Sequence, residues 1–197
     1  KPFRQDMTNR HTAGLETVVA DIRADAALRV MIRELRSRFL EAREGVVHGD
    51  LHTGSVMVRS DEARVIDGEF AFFGPIAFDL AALTANYLLS WHGHVQGADA
   101  AARTAALIDC IETCWRAYSE AFGPSKRLLS IWQEALRFAG VKMLRRILGA
   151  AHVKDLESIE DPARRRAAET RAITCGRALI SDPPTSGDLR TFVEGFA

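Results

Sequence analysis

The sequence predicts a mainly helical α+β protein with a small β insert. Through most of the chain, apolar residues recur every three or four positions, which is the period of an amphipathic helix. Between residues 46 and 66 this period gives way to short, mostly β-branched runs separated by polar turns, as is typical of strands. The 197 residues are 47% hydrophobic, and no linker-like tract divides them. We therefore expect one domain with its own core.

The helices are predicted on both sides of the insert. Spacing in residues 12–44 predicts two helices that break near Ala24, with Thr12 as the candidate N-cap and Gly45 as the stop. Strands are predicted at residues 46–47, 56–58 and 64–67, and the segment after Asp67 is predicted as a loop. Further helices are predicted at residues 78–91, 98–121, 126–150 and 161–180, ahead of an irregular stretch at residues 181–187.

Charge and composition argue against two classes of partner. Lys plus Arg and Asp plus Glu both number 26, so the formal net charge is zero. A chain without net positive charge has no global field to hold nucleic acid or an anionic membrane. No apolar run approaches the ~20 residues that a membrane span needs. We therefore predict neither nucleic acid nor a membrane as a partner.

The cysteines favour a reduced, intracellular protein. Cys110 and Cys114 lie one helical turn apart, and Cys175 stands alone, so they do not form a disulfide framework and are expected as core thiols. The chain begins with Lys1 rather than Met. We therefore expect a fragment, from which an upstream targeting segment could have been lost.

Polar side chains gather in the turn after the first predicted strand. Residues 46–58 read VVHGDLHTGSVMV and include His48, Asp50, His52 and Ser55. Gly49 permits a sharp turn that would push Asp50 towards a cleft, where an exposed carboxylate can act as a base. The two histidines are expected to bond the loop backbone. An alternative makes His48, Asp50 and His52 the ligands of a metal-dependent hydrolase, although the flanking glycines favour a loop over the strand that this requires.

Two carboxylates follow the third predicted strand. Asp67 and Glu69 lie two residues apart, and a strand would place both side chains on one face. Two oxygen ligands on one face suit Mg²⁺. A base on one loop and a carboxylate clamp on the next are what phosphoryl transfer from Mg-ATP requires. Taken alone, the two acids would be solvated turn residues.

These motifs, in this order, resemble those of a known family. HGDLHTGS at residues 48–55 and VIDGEFAFFGPIAFD at residues 65–79 resemble the aminoglycoside-phosphotransferase-like kinases, in particular their 5-methylthioribose kinase branch. The resemblance continues to RRILGAAHVKDLESIED at residues 145–161. It implies that residues 1–197 form the C-terminal lobe of a bilobal, protein-kinase-like fold, and that the N-terminal lobe is absent from this chain.

The resemblance assigns the base and the substrate contacts. It implies that Asp50 is the catalytic base, which accepts the proton of the sugar 1-hydroxyl. It matches Arg145 and Arg146 to paired arginines that contact the methylthioribose. Adjacent helical residues point about 100° apart, so one arginine would face the substrate while the other supports it or pairs with an acid. Without the family match, both would be surface charges near a helix C-terminus.

The resemblance also assigns the nucleotide and metal contacts. Asp67, Gly68 and Glu69 match the D-x-E site for metal and ATP phosphates, and Ser55 stands where related kinases place a metal-binding Asn. A serine hydroxyl is a weaker ligand, which would make the second carboxylate useful. The family usually reads D-P-E, and glycine in place of a stiff proline loosens this loop. We expect altered metal affinity or a diverged substrate before a dead enzyme.

Two further groups are predicted to support these loops. Asp79 opens a predicted helix and is expected to cap it or to brace the catalytic loop. Phe70, Phe72 and Phe73 are expected to pack and so to anchor the metal loop.

Three functions compete at this point. The first is a cytoplasmic, homodimeric kinase that uses ATP and Mg²⁺ to phosphorylate 5-methylthioribose in methionine salvage, as the resemblance implies. The second keeps the mechanism and changes the acceptor to choline, homoserine or an aminoglycoside. The third is a degenerate lobe that binds a partner or nucleotide without catalysis. On any of these, this chain alone is expected to be inactive, because ATP would meet only half of its pocket.

Overall fold

Helices make up most of the chain that the structure describes. The computed structural model describes residues 9–97 and 99–197. In these parts the elements are, in order, α1 (Glu16–Ala24), α2 (Ala26–Glu41), β1 (Gly45–Val47), β2 (Val56–Val58), β3 (Ala63–Val65), β4 (Phe72–Gly74), α3 (Phe78–His94), α4 (Ala100–Phe122), α5 (Leu128–Leu148), α6 (Lys154–Glu157), α7 (Pro162–Ser181) and α8 (Leu189–Glu194). The mainly helical prediction is confirmed. Lys1 and residue 98, at which α4 was predicted to begin, lie outside the described residues.

The core is built where α5 packs between α3 and α7. Apolar side chains at helical spacing are buried along all three helices, among them Leu88, Leu136 and Leu179. The α5 and α7 backbones approach closely at Gly140 and Gly176, where a Cβ atom on Gly140 would overlap the carbonyl oxygen of Gly176. This core holds the N-terminal end of α3, which reaches the polar loops.

The first two helices break where the sequence predicts, near Ala24. Asp25 caps α2, because its side chain accepts a hydrogen bond from the backbone N–H of Leu28 at 2.9 Å. The N-cap predicted at Thr12 is wrong: α1 begins at Glu16, and the Thr12 hydroxyl donates to Glu169 at 2.9 Å. The predicted stop at Gly45 is late, since α2 ends at Glu41.

The β insert consists of two small antiparallel ladders. β1 pairs with β4 through Gly45 and Gly74, and β2 pairs with β3 through Val56 and Val65. Strand β4 lies in a segment that was predicted as a loop. The Gly and Pro residues around its three residues are typical of loops, so the short strand was not recognised. Its pairing with β1 has a structural consequence: the loop that leaves β1 and the loop that enters β4 lie side by side.

The cysteine prediction is right for one of the three residues. Cys175 is buried, Cys114 is half-buried and Cys110 is exposed, and all three thiols are free. Burial raises the pKa of the Cys175 thiol to about 12. Within the described ranges, no helix combines the length and the hydrophobicity that crossing a membrane requires.

Candidate active site

The half-buried start of α3 holds the loop that follows β1. The Asp79 carboxylate, in the first turn of α3, accepts hydrogen bonds from the backbone N–H groups of His48 at 2.5 Å and Gly49 at 3.1 Å. A carboxylate is a strong acceptor for backbone donors, so these bonds hold the loop against the helical core. The prediction that Asp79 braces this loop is confirmed.

The turn itself depends on Gly49 and His48. Gly49 has φ +87°, and a Cβ atom there would overlap the carbonyl oxygen of Phe70 on the neighbouring loop. Nε2 of His48 lies 2.7 Å from the carbonyl oxygen of Ile66, which can only accept, so this nitrogen carries the proton. Its Nδ1 then accepts from the backbone N–H of Asp50 at 3.4 Å. His48 therefore joins the two loops, as predicted for a structural imidazole.

These contacts leave Asp50 at the exposed tip of the loop. Its side chain is 41% exposed. One carboxylate oxygen, Oδ1, lies 3.9 Å from Nζ of Lys142, and the other, Oδ2, lies 3.9 Å from Nε2 of His52. The His52 Nδ1 accepts a hydrogen bond from Gly54 at 3.0 Å, which orients its ring. An exposed carboxylate held between two nitrogens can accept a proton from a bound hydroxyl group.

Lys142, on α5, was not among the predicted site residues. Its side chain is only 14% exposed, and its ammonium lies 4.7 Å from the centre of the Phe78 ring. Burial lowers the pKa of Lys142 to about 8, although Asp50 opposes this shift. The available signal was spacing, because Lys142 precedes Arg145 and Arg146 by three and four positions and so shares their side of the helix.

The second loop differs from the strand that the sequence predicts. Strand β3 ends at Val65, and Asp67 adopts a left-handed conformation with φ +65° before a single 3-10 turn at Gly68–Phe70. The argument that a two-residue period places Asp67 and Glu69 on one face is therefore wrong. Both residues are nevertheless exposed, close to the turn that holds Asp50. Gly68 needs no special space, since a Cβ atom there would meet nothing within 4 Å.

Ser55 lies beneath the loop that carries Asp50. It is 1% exposed, and its hydroxyl donates to the carbonyl oxygen of Asp50 at 3.2 Å. Its own carbonyl oxygen accepts from the backbone N–H of Ile66 at 3.0 Å, which links the two loops again. In this conformation the hydroxyl faces the protein backbone and would have to rotate to reach a metal ion.

The aromatic prediction for the second loop holds for one ring. Phe72 packs edge-on against Phe39, with 5.2 Å between ring centres, and against Phe78 at 6.2 Å. Phe70 and Phe73 are exposed. Phe72 therefore anchors the end of the loop, and the other two rings do not.

The side chains that could bind a metal ion suit one that also binds nucleotide phosphates better than one held by protein alone. Across the described residues, no three His, Cys, Asp or Glu side chains are grouped to hold a metal ion, which counts against the hydrolase alternative. Asp67 and Glu69 supply carboxylate oxygens from an exposed turn. Magnesium commonly takes one or two carboxylates and completes its shell with phosphate oxygens and water, so these two residues fit it.

The two arginines lie at the end of α5. Arg145 is exposed and Arg146 is half-buried. Both contribute to lowering the pKa of Lys142, which places their charges in the neighbourhood of its ammonium. The structure thus brings a cationic end of α5 to the loop that carries Asp50. The substrate contacts assigned to these arginines stay a prediction.

Comparison with known proteins identifies phosphotransferases as relatives of this chain. The model of the phosphotransferase enzyme family (APH) matches residues 1–121. Methylthioribose kinase 1 of Oryza sativa subsp. japonica is 36% identical over 212 residues, which cover 91% of this chain and 49% of that protein. Methylthioribose kinase of Enterobacter sp. (strain 638) is 34% identical over 199 residues, with 91% and 50% covered. That of Yersinia pestis (strain Pestoides F) is 33% identical over 208 residues, with 95% and 51% covered. The chain thus spans about half the length of the curated relatives it matches.

Proposed function

Because this chain belongs to the phosphotransferase enzyme family, we propose that it forms the catalytic, C-terminal lobe of a kinase that phosphorylates the 1-hydroxyl of 5-methylthioribose. The observation that carries this proposal is the position of Asp50. Its carboxylate is exposed at the tip of a loop whose backbone is fixed by Asp79 and His48. Similarity to methylthioribose kinases supports the choice of acceptor, and methionine salvage as its setting.

The reaction needs a base, a phosphate site and a bound acceptor. Asp50 would accept the proton of the acceptor hydroxyl as its oxygen attacks the γ-phosphorus of ATP, and ADP leaves with the electrons of the broken P–O bond. Asp67 and Glu69 would hold Mg²⁺, which when bound neutralises charge on the phosphates. Arg145 and Arg146 would bind the sugar from the end of α5, where donors can orient hydroxyl groups.

The rest of the ATP site would come from residues outside this chain. An N-terminal lobe that covers the phosphates is part of the proposal, together with a homodimeric, cytoplasmic enzyme. This chain alone would then show no turnover, because adenine would lack its pocket.

The test measures phosphate transfer from Mg-ATP by the complete gene product, with methylthioribose as acceptor. Asp50→Asn keeps the shape of the side chain and removes the base, so turnover should fall about 10²-fold or more. Asp61→Asn makes the same change in an exposed turn and should leave turnover unchanged. Turnover by Asp50→Asn at the wild-type rate would contradict the role of Asp50 as the base.

The acceptor is tested separately. Choline, homoserine and an aminoglycoside are offered to the same protein under the same conditions. Arg146→Ala should raise KM for methylthioribose if the arginines bind the sugar. Turnover with one of the other alcohols, and none with methylthioribose, would contradict the acceptor and retain the phosphotransfer. No turnover with any acceptor, by a well-folded protein, would contradict the kinase.

A further inference from the structure

The space beside the Asp50 carboxylate is occupied by a largely buried lysine side chain from a distant part of the chain. Lys142 projects from α5, and its Nζ lies 3.9 Å from Oδ1 of Asp50. The aliphatic stem is largely buried, and the ammonium lies over the Phe78 ring at 4.7 Å. An ammonium held by an aromatic face and a buried stem has few alternative positions, so its charge is fixed relative to the loop.

Asp50 itself is less constrained than its loop. The backbone is held by Asp79 and His48, but the carboxylate is 41% exposed, and among the described residues no hydrogen bond within 3.5 Å orients it. Its two oxygens are flanked by Lys142 and His52, each at 3.9 Å. Burial lowers the pKa of Lys142 to about 8, so this side chain is mostly protonated at neutral pH.

We propose that Lys142 is a positioning residue for the base: its ammonium holds the Asp50 carboxylate in one orientation, ionised and aimed at the acceptor hydroxyl. The proposal rests on the proposed kinase function. It also explains why a lysine precedes the arginine pair on the same side of α5, because one helix then sets both the base and the sugar.

Lys142→Met tests the charge while it keeps most of the buried stem. We expect kcat to fall about 10-fold or more, because a misoriented base costs rate, while KM for ATP changes less than about 2-fold. The matched control is Lys126→Met, the same change at an exposed position before α5, which should leave both constants unchanged. A Lys142→Met enzyme with wild-type kcat would overturn the proposal.

A pH profile separates positioning from packing. The charged groups that face Lys142 are Asp50 and Asp79, which favour its protonated form, and Arg145 and Arg146, which oppose it. Since burial brings the pKa of Lys142 to about 8, wild-type kcat should decline as the pH rises through this value. The decline should be absent in Lys142→Met. A decline of the same size in both proteins would overturn the proposal.

The pairing of Lys142 with Asp50 can also be tested by a titration that does not depend on turnover. With lysine labelled by ¹⁵N and ¹³C, the side chains of Lys1, Lys126, Lys142 and Lys154 are followed by NMR in the complete protein. Asp50→Asn should lower the pKa of Lys142 further, because Asp50 raises it in the wild type. An unchanged Lys142 titration overturns the pairing. A coupled titration without turnover supports the pairing and counts against the kinase reaction alone.

Discussion

Asp79 accepts a hydrogen bond from the backbone N–H of His48 over 2.5 Å, although the two residues lie on different elements, 31 positions apart. The same carboxylate accepts from Gly49. Asp79 belongs to α3, whose following turns are buried in the core. The position of the loop that carries Asp50 is therefore set by the helical core through one side chain.

The first prediction concerns this side chain. Asp79→Asn retains its shape and loses its charge, and turns one acceptor oxygen into a donor that faces a backbone N–H. We expect the free energy of unfolding to fall by about 1–3 kcal/mol, and turnover to fall as the loop loosens. Urea unfolding and kinase assays measure the two effects. Asp99→Asn, at a helix start without a side-chain bond, is the control; equal stability of the two variants would refute the brace.

The second prediction compares two glycines of the paired loops. Gly49→Ala places a Cβ atom at φ +87° and against the Phe70 carbonyl, so we expect it to lose about 1–2 kcal/mol of stability or more. Gly68→Ala meets open space and should change stability by less than about 0.5 kcal/mol. Thermal unfolding of both variants checks this order. The reverse order would mean that Gly68, in place of the usual proline, is under the greater constraint.

The third prediction is acid sensitivity caused by His92. This residue is fully buried on α3, neither ring nitrogen has a hydrogen-bond partner in the part of the chain that the structure describes, and burial lowers its pKa to about 3. Between pH 6.5 and about 3 the unfolded chain binds a proton that the native protein excludes. Stability should therefore fall as the pH falls through this window, by up to about 1.4 kcal/mol per pH unit.

His92→Phe should remove that slope. The measurement is urea unfolding at pH 7.5 and pH 5.0, compared between the variant and the wild type. His94→Phe, on the same helix, is the control, because the His94 ring is bonded to the Ser90 carbonyl at 2.7 Å. A wild-type slope retained in His92→Phe would show that other groups cause the acid sensitivity.

The fourth prediction concerns the close approach of α5 and α7. A Cβ atom on Gly140 would overlap the Gly176 carbonyl oxygen, whereas one on Gly176 would lie 3.2 Å from the Gly140 oxygen. Gly140→Ala should therefore cost about 1–3 kcal/mol, and Gly176→Ala should cost less because helix propensity offsets a milder contact. Equal losses in thermal unfolding would indicate that the helices separate freely at this crossing.

The sequence predicted the parts of the fold that depend on local pattern. Long stretches with apolar residues at helical spacing predicted the central helices, and the break near Ala24 follows from the Asp25 cap. Thr12 was misassigned because its hydroxyl bonds Glu169, a partner far along the chain. Strand β4 was missed because its three residues become a strand only by pairing with β1.

The candidate site was likewise predictable only where it depends on local sequence. Asp50, Asp67 and Glu69 were predicted from short motifs, which can be read directly from the sequence. Their geometry was not predictable, since the left-handed turn at Asp67 replaces an expected strand. Lys142 was missed because its place beside Asp50 arises from the packing of α5 against α3, and its spacing from the arginine pair does not by itself indicate that contact.

The packing of α5 against Phe78 also bears on the order of folding. The ladders and the Asp79 brace join segments that are near in sequence, so the cost in chain entropy of bringing them together is modest. Lys142 reaches Asp50 only when α5, the second helix after α3, packs against α3. A chain that ends after α4 would retain the residues of the turn that presents the carboxylate and lack its counter-charge. During synthesis, the charges around Asp50 are therefore completed later than the turn that carries it.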